Sequence, residues 1–389
     1  MLGLIQEQHP ERCRLFMQWQ QMDWPVMVDS LDLLGIDVVP LTLAIDEHGT
    51  VRHRGLRVDD AETIEADFLD REYPAPPEAP ARPAPARAPD AGEADPAAWR
   101  AWGDRVATWV RWPGEVGTAP ETRGADGWSA AIGAYRRALE LDPGDGWSHF
   151  RLGTTYRMRY DSEDRQPADF GRAVEHWTRA LELDPNNYIW RRRLQQYGPR
   201  LDKPYPFYDW VDTARAEIAA RGETPFPLHV EPLGSEIAHP RRELVTAEAE
   251  EIEPDRRGRI RRDRDHLISI EPVLVPARVA PSESARLHLV FRPDAAQKAH
   301  WNNEVDELAV WLEPPEGWKV ERRLLTAPNS PEPVSHETRR VEVELEAPAA
   351  APPASPSLRG HALYYVCEDV DGTCLYRRQD IEVKVPIRK

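Results

Sequence analysis

The sequence has few cysteines, no long apolar run and a deficit of basic charge. Its 389 residues include three cysteines, too few for a disulfide-rich scaffold or a four-cysteine zinc site but enough for one disulfide and one free thiol. No apolar run reaches the ~18 residues of a membrane-spanning helix, so we expect no membrane insertion. The net charge of −17 argues against a protein that coats nucleic acid, because such binding depends on neutralising phosphates.

The usual motifs of cofactor and metal chemistry are also missing. No glycine-rich phosphate loop, His-Glu-x-x-His motif or Gly-x-Ser-x-Gly elbow occurs. The segment HWNNE at 300–304 could border a binding face or hold a metal with His288 or His361, but a polar loop around a packed tryptophan explains it better. We therefore predict no cofactor and no metal.

Proline is the residue that the chain has in excess. There are 38 prolines against 22 glycines, about twice the ordinary usage, and eight of them fall within 74–96, a composition typical of an extended linker. The changes in composition predict a multidomain protein of mixed fold class. Its expected parts are an α/β module at 1–72, a Pro/Ala-rich linker at 73–96, an all-α domain at 97–222, a charged linker at 223–264 and an all-β sandwich at 265–389.

An internal repeat marks the helical domain. The heptapeptide RALELDP begins at Arg137 and again at Arg179. Small and large apolar residues recur in register around the two copies: Ala131, Tyr135, Ala138, Leu152, Gly153, Tyr156, Ala173, Trp177 and Ala180. The pattern resembles the tetratricopeptide repeat, a helix pair with a usual period of about 34 residues, here with an insertion at 159–167. The resemblance implies a concave groove that docks a protein partner. A generic helical hairpin is the alternative.

Residues 265–389 alternate polar and apolar side chains in seven short segments bounded by turns. This pattern predicts an immunoglobulin-like sandwich. Near its end, Cys367 and Cys374 flank the turn 369–372, and counting inward from both sides places them opposite each other, within disulfide reach. Three interpretations remain open: a pair that exchanges electrons with a partner, a structural disulfide, and two free thiols.

The same hairpin carries a resemblance. Tyr364, Tyr365, Cys367, Cys374 and Tyr376 are similar in type and order to the late hairpin of the N-terminal periplasmic domain of the thiol–disulfide transporter DsbD, although six residues separate the cysteines here, one more than in that family. The resemblance implies an immunoglobulin-like fold and makes Cys367 and Cys374 candidate catalytic residues.

The first 72 residues resemble the C-terminal part of a thioredoxin- or peroxiredoxin-like fold, through the segments 23–29 and 34–55 and a closing helix. The resemblance implies a cis peptide bond before Pro40, beside the redox site. The reactive cysteines of that family precede the strand that MLGLI matches, and Cys13 on the following helix is not equivalent to them. Two explanations are open: a module that has lost its catalytic half, and a start codon assigned too far downstream, which we favour.

We interpret the chain as a redoxin-type multidomain protein that performs thiol–disulfide exchange or redox-linked handling of a partner, with little turnover of its own. The alternative is a non-catalytic scaffold with a degenerate redoxin module and a structural disulfide. The expected partner is a protein bound by the helical repeats, and not nucleic acid. The compartment depends on the start: cytoplasmic for Met1, and periplasmic or exported for a longer chain.

Overall fold

The computed structural model contains a helical repeat part and a large β-sheet part. It describes residues 1–36, 41–55, 64–76, 87–112, 124–201, 208–232, 236, 244–246, 251–350, 356–368 and 372–388. The α-helices of these residues are α1 (Glu11–Trp19), α2 (Pro96–Arg111), α3 (Gly124–Leu141), α4 (Gly146–Tyr160), α5 (Asp169–Leu183), α6 (Tyr188–Gln195) and α7 (Trp210–Ala220). Glu65–Leu69 forms a π-helix and Ala295–Gln297 a 3₁₀ helix. None of the described helices combines the length and the apolarity needed to span a bilayer.

Short strands lie at the N-terminus and long strands in the C-terminal part. The strands of the described residues are β1 (Gly3–Ile5), β2 (Val26–Val28), β3 (Leu43–Ile45), β4 (Val51–Arg54), β5 (Val245–Thr246), β6 (Ile268–Val275), β7 (Ser284–Pro293), β8 (His300–Asn302), β9 (Leu308–Glu313), β10 (Lys319–Val320), β11 (Leu324–Ala327), β12 (Val334–Ser335), β13 (Arg339–Glu346), β14 (Ser357–Cys367) and β15 (Cys374–Lys384). The protein is therefore of mixed α and β architecture.

The N-terminal part forms two small strand pairs. β1 lies parallel to β2, and β3 pairs with β4 as an antiparallel hairpin. No ladder joins the two pairs within the described residues. Helix α1 packs against α7 through Leu15, Val211 and Ile218. Helix α7 therefore covers α1, whose apolar stripe would otherwise be exposed.

Two glycines set the packing of the helical part. A Cβ at Gly153 of α4 would lie 2.7 Å from Trp177 and 2.9 Å from the carbonyl oxygen of Ala173, both on α5. Gly103 of α2 makes the equivalent approach to α3, where Tyr135 would lie 2.8 Å from an added Cβ. The pairs α2–α3 and α4–α5 are thus two copies of one packing unit, and α6 follows against α5.

The C-terminal part consists of two antiparallel sheets around one core. The first has the order β5-β10-β13-β7-β6; in the second, β14 pairs with β15 on one edge and with β9 and β8 on the other. Leu287, Phe291, Val343 and Tyr364 belong to a single buried apolar cluster contributed by both sheets. Between β10 and β11, at 320–325, the chain crosses from the first sheet to the second.

The helical part and the first sheet share an interior. Val273 and Val275 of β6 join the apolar cluster of the helices, and His288 Nε2 lies 2.7 Å from the carbonyl oxygen of Tyr197. Arg286 pairs with Glu344 at 3.2 Å on the same outer sheet face. The repeat thus covers charged groups of the sheet that would otherwise face water.

The sequence predicts a charged linker at 223–264. In its described residues this segment contacts the α1–α7 cluster at one end and strand β15 at the other. Phe226 and Leu228 pack on the α1–α7 cluster. Arg378 of β15 binds Asp255 at 3.1 Å and forms backbone hydrogen bonds with residues 261 and 263. The charges of this segment find partners on the edge of the second sheet, which explains why it is not simply solvated.

Candidate functional site

The surface of α4 and α6 that bears Arg151 and Arg193, which we call the groove face, is covered by residues from the N-terminal part. Arg151 donates hydrogen bonds to the carbonyl oxygens of Leu31 and Asp32, both at 3.2 Å. Arg193 donates to the carbonyl oxygen of Ser30 at 3.2 Å. A guanidinium group presents several N–H donors in a fixed plane. The groove face therefore holds this segment largely by its main chain.

The loop at 29–36 is shaped to reach the groove face. Asp29 accepts hydrogen bonds from the backbone N–H groups of Leu33 and Leu34 at 2.8 and 3.1 Å, as short polar side chains do in turns. Asp32 adopts a positive φ of 54°. Leu31, between them, is 2% exposed and belongs to the apolar cluster of the helices. One leucine anchors a loop that is otherwise held by polar contacts.

A buried polar network links this segment to the end of α4. His9 Nε2 lies 2.8 Å from the hydroxyl of Tyr197, and His9 Nδ1 lies 3.8 Å from Asp161. Arg157 binds the same carboxylate through two N–H groups at 3.0 and 3.1 Å. Burial, together with Arg12 and Arg157, lowers the pKa of His9 well below its ordinary value. The imidazole is therefore neutral at physiological pH and acts as a fixed hydrogen-bonding group.

A cavity of about 780 Å³ opens beside the groove face, and we call it the groove cavity. Its walls come from the N-terminal part, the ends of α2 and α4, the start of α3 and residues 229–230. Its apolar lining consists of Trp109, Val110, Trp128, Met158 and Val230. The volume lies within the range of about 300–1,000 Å³ of natural ligand pockets.

The rim of the groove cavity is acidic. The loop that follows α4 contributes Asp161, Glu163 and Asp164, and Arg159 holds the base of this loop by binding Asp169 at 2.7 and 2.9 Å. Helices α2 and α4 both end at the cavity, so the partial negative charge of two helix C-termini adds to that of the carboxylates. Glu163 and Asp164 have no ion-pair partner within the part of the chain that the structure describes.

A second cavity, of about 510 Å³, lies between β1 and α6 and contains Cys13, which is a free thiol. Burial, together with the nearby Glu7, raises the pKa of this thiol. Since the thiolate is the reactive form, Cys13 is a poor nucleophile at neutral pH.

The cysteine pair lies at the far end of the second sheet. Cys367 ends β14 and Cys374 begins β15; they are opposite each other in the ladder and form a disulfide. Cys367 is 3% exposed, whereas Cys374 is exposed. A disulfide is attacked at a sulfur that an incoming thiolate can reach, and Cys374 is the exposed residue of this pair. The catalytic role of the pair stays a prediction.

The structure describes most of the other residues that the sequence analysis singled out. Pro40 lies outside the described residues, so the cis bond before it stays a prediction. Trp301, in the segment 300–304, is buried and donates to the carbonyl oxygen of Glu337 at 2.8 Å. No group of three or more metal-ligating side chains converges within the described ranges. The repeat positions are all buried on α3, α4 and α5: Ala131, Tyr135, Ala138, Leu152, Gly153, Tyr156, Ala173, Trp177 and Ala180.

Sequence reasoning missed the groove face and the first helix of the repeat. Arg151 and Arg193 have the pattern of solvated helical residues, and their carbonyl acceptors lie 119 to 163 residues away. The first helix did leave a signal, because Trp102–Gly103–x–x–Val106 repeats the spacing of Leu152–Gly153–x–x–Tyr156. The signal is easy to overlook, because the number of residues between the glycine and the next helix differs between the two copies.

Comparison with known proteins supports the repeat. A family model for the tetratricopeptide repeat matches residues 134–166. No curated protein matches the chain. The solved structure of AvmM, which catalyses macrocyclization in alchivemycin A biosynthesis, is 12% identical with a TM-score of 0.18 and covers 33% of this chain and 96% of its own. The Pseudomonas fluorescens alkylpurine DNA glycosylase AlkC, bound to DNA with an abasic site analog, is 8% identical with a TM-score of 0.17, covering 75% of this chain and 77% of its own. At these TM-scores neither similarity shows a shared fold.

Proposed function

We propose that the protein is an interaction protein whose polypeptide partner binds at the groove cavity. The observation that carries this proposal is the position of the tetratricopeptide match, 134–166. Five of the residues that line the cavity lie inside it: Met158, Asp161, Ser162, Glu163 and Asp164. Tetratricopeptide repeats stack into concave surfaces that bind extended partners.

The site proposed for the partner is beside the groove face and not on it. Arg151 and Arg193 already donate hydrogen bonds to the carbonyl oxygens of residues 30–32. Displacing that loop would leave those buried N–H groups without their acceptors, at a cost of about 1–3 kcal/mol for each unsatisfied group. The cavity is open without such a cost. The N-terminal part would then form one wall of a composite site.

Site-specific photo-crosslinking in cells tests the proposal. A photoreactive residue at Glu163, on the rim, should give one discrete adduct that grows weaker when Trp128 is replaced by Ala. The same probe at Glu332, an exposed residue of the β-sheet part, is the control. Equal adducts from both positions, or none from Glu163, would refute binding at the cavity.

The finer parts of the sequence interpretation remain proposals. We propose the five-part division at 72, 96, 222 and 264, with a partial thioredoxin-like module first and an immunoglobulin-like sandwich last. What supports the sandwich is the shared core of two antiparallel sheets. For the thioredoxin-like module, the support is limited to the order of strands and helices in residues 1–54.

Thiol–disulfide exchange at Cys367 and Cys374 is the second candidate function. It is favoured by the exposure of Cys374. In that reaction a partner thiolate attacks Cys374 Sγ, the disulfide breaks, and Cys367 leaves as the thiolate while a mixed disulfide forms. Equilibration with a dithiol buffer distinguishes an exchanging pair from a structural disulfide. A reduction potential above about −300 mV supports exchange, and a lower one identifies a structural disulfide.

A further inference from the structure

Four arginine side chains gather around Tyr160, the last residue of α4, and we call them the arginine cluster. The guanidinium carbons of Arg157, Arg165 and Arg292 lie 5.0, 5.2 and 5.1 Å from the centre of its ring. The fourth member, Arg340, is close enough to Arg157 and Arg292 for their charges to act on it. The cluster therefore joins α4 and the loop after it to strands β7 and β13 of the first sheet.

Two members of the arginine cluster have ion-pair partners. Asp161 binds Arg157 at 3.0 and 3.1 Å, and Glu271 binds Arg292 at 2.9 Å. The hydroxyl of Tyr160 also accepts a hydrogen bond from Arg292. These two guanidinium groups are neutralised, and their contacts within the protein fix their orientation.

The other two members are cations without a counter-ion. Arg340 has no acceptor within the residues that the structure describes, and Arg165 donates only its Nε–H, to the carbonyl oxygen of Tyr160 at 2.6 Å. Both residues are accessible to solvent. Partial desolvation, together with the nearby guanidinium of Arg292, lowers the pKa of both. Like charges repel at this range, so an anion bound here would relieve an unfavourable arrangement.

The loop after α4, where the repeat has its insertion, sets the position of Arg165. Its end is fixed by the backbone N–H of Gln166, which donates to Asp169 at 3.1 Å. Glu163 and Asp164 of the same loop line the groove cavity and form no ion pair with Arg165. The insertion thus brings a cation to the sheet while its carboxylates lie at the cavity.

We infer that the arginine cluster binds a phosphate group, either inorganic phosphate or a phosphate monoester. A phosphate monoester carries about two negative charges at neutral pH, which matches the two guanidinium groups that lack a counter-ion. The N–H groups of a guanidinium also fit phosphate oxygens in a bidentate arrangement. A single carboxylate would neutralise only one of the two cations. The inference is independent of the function proposed above, because neither Arg165 nor Arg340 lines the groove cavity.

Isothermal titration calorimetry with the full chain tests this inference. Inorganic phosphate is titrated at constant ionic strength, and acetate, an oxyanion with one charge, is the comparison. Phosphate should bind at least about tenfold more tightly than acetate. Equal affinities, or no binding of phosphate, would overturn the inference.

Two peptides distinguish the source of the phosphate. A short phosphoserine peptide is compared with inorganic phosphate and with the same peptide carrying glutamate in place of phosphoserine. Tighter binding of the phosphoserine peptide than of inorganic phosphate supports the site and assigns it to a phosphorylated polypeptide, and equal or weaker binding supports it and assigns it to a small phosphate. A glutamate peptide that binds as tightly as the phosphoserine peptide would contradict recognition of phosphate.

Three variants locate the binding. Arg340→Gln and Arg165→Gln should each weaken phosphate binding by about tenfold, and Arg340→Lys, which keeps the charge but not the bidentate geometry, should weaken it by about threefold. Arg322→Gln, which removes an exposed arginine of the β-sheet part, is the matched control and should change nothing.

The stability of the ligand-free protein separates binding from a structural role. Without phosphate, Arg340→Gln should melt at the temperature of the parent protein or above it, because the change removes a cation that has no partner. A lower melting temperature together with an unchanged affinity for phosphate would show that Arg340 supports the fold and not a ligand.

Discussion

The interior of the two-sheet part is apolar, whereas the junction at the groove face is mostly polar. Between the sheets, residues such as Leu287, Phe291 and Val343 are 0 to 3% exposed, and apolar surface is the main component. At the groove face, Leu31 is the main apolar contact, and arginines, carboxylates and backbone carbonyls make up the rest. Leu31, Arg151 and Arg193 at the junction are buried as well.

The difference lies in how each region responds to change. Apolar burial contributes roughly in proportion to area, at about 25 cal/mol per Å², and it does not depend on pH. A buried polar junction depends on matched partners, since losing one partner leaves the other desolvated. We therefore expect the core to fail by lost volume and the junction to fail by lost pairing.

The largest effect should come from the core. Phe291→Ala removes a fully buried ring from the cluster between the sheets and should cost about 3–5 kcal/mol of unfolding free energy. Urea denaturation at acidic and at neutral pH should give the same loss. A cost that changed markedly with pH would contradict a purely apolar core.

A smaller loss is expected inside the repeat, which packs like the core. Gly153→Ala forces a Cβ against Trp177 and the backbone of Ala173 and should lower the unfolding free energy by about 1–3 kcal/mol. Gly133→Ala, on exposed α3 surface with nothing within 4 Å, is the matched control and should raise it by up to about 1 kcal/mol. Similar effects at both glycines would disprove the close helix contact.

Removing one donor should loosen the junction locally. Arg193→Met keeps the apolar stem but leaves the carbonyl of Ser30 and the side-chain oxygen of Gln8 without their donor, at a cost of about 1–3 kcal/mol for each unsatisfied group. Hydrogen exchange should accelerate in residues 5–9 and 29–36 and stay unchanged between the sheets. Arg191→Met, on the exposed side of the same helix, is the control. Uniform acceleration throughout the chain would mean that the junction is not a separate unit.

The last expected effect is a dependence on pH. Burial, with the nearby Asp29, raises the pKa of Asp32 from 3.8 to about 6. The folded form therefore binds the proton more tightly than the unfolded form, and this contribution to stability is present below pH 3.8 and lost as pH rises through about 6.

The variant Asp32→Asn tests that sign. The amide oxygen can still accept from the N–H of Ile36, as Asp32 does at 3.2 Å, and asparagine tolerates the positive φ. The variant should be more stable than the parent at neutral pH and equal to it in acid, measured by urea denaturation. A variant that is less stable at neutral pH would show that the charge is favourable.

How far the sequence predicts each region follows the same division. The repeat could be found from the sequence because small and large residues recur at fixed spacing. This spacing predicts the contact between Gly153 and Trp177. The strands between 268 and 384 could be found from alternation, apart from the crossing at 320–325. In both cases the cause is local periodicity.

The junction could not be found in this way. Arg151 acts on the carbonyl oxygens of Leu31 and Asp32, and a carbonyl is present at every residue, so no side-chain pattern marks the acceptor. The segment 223–264 has the composition of a charged linker for the same reason, since Arg378, which binds Asp255, lies 123 residues away from it. Polar contacts between distant parts of a chain leave little trace in composition.

The placement of the loop at 29–36 has a consequence for the order of events during synthesis. Its anchoring groups belong to residues 151–197, which leave the ribosome long after it does. Contacts of such large sequence separation form late, and chains emerge from the N-terminal end. The loop at 29–36 must therefore wait, with Leu31 exposed to water, until α6 has been synthesised, and it is among the last parts of the fold to settle.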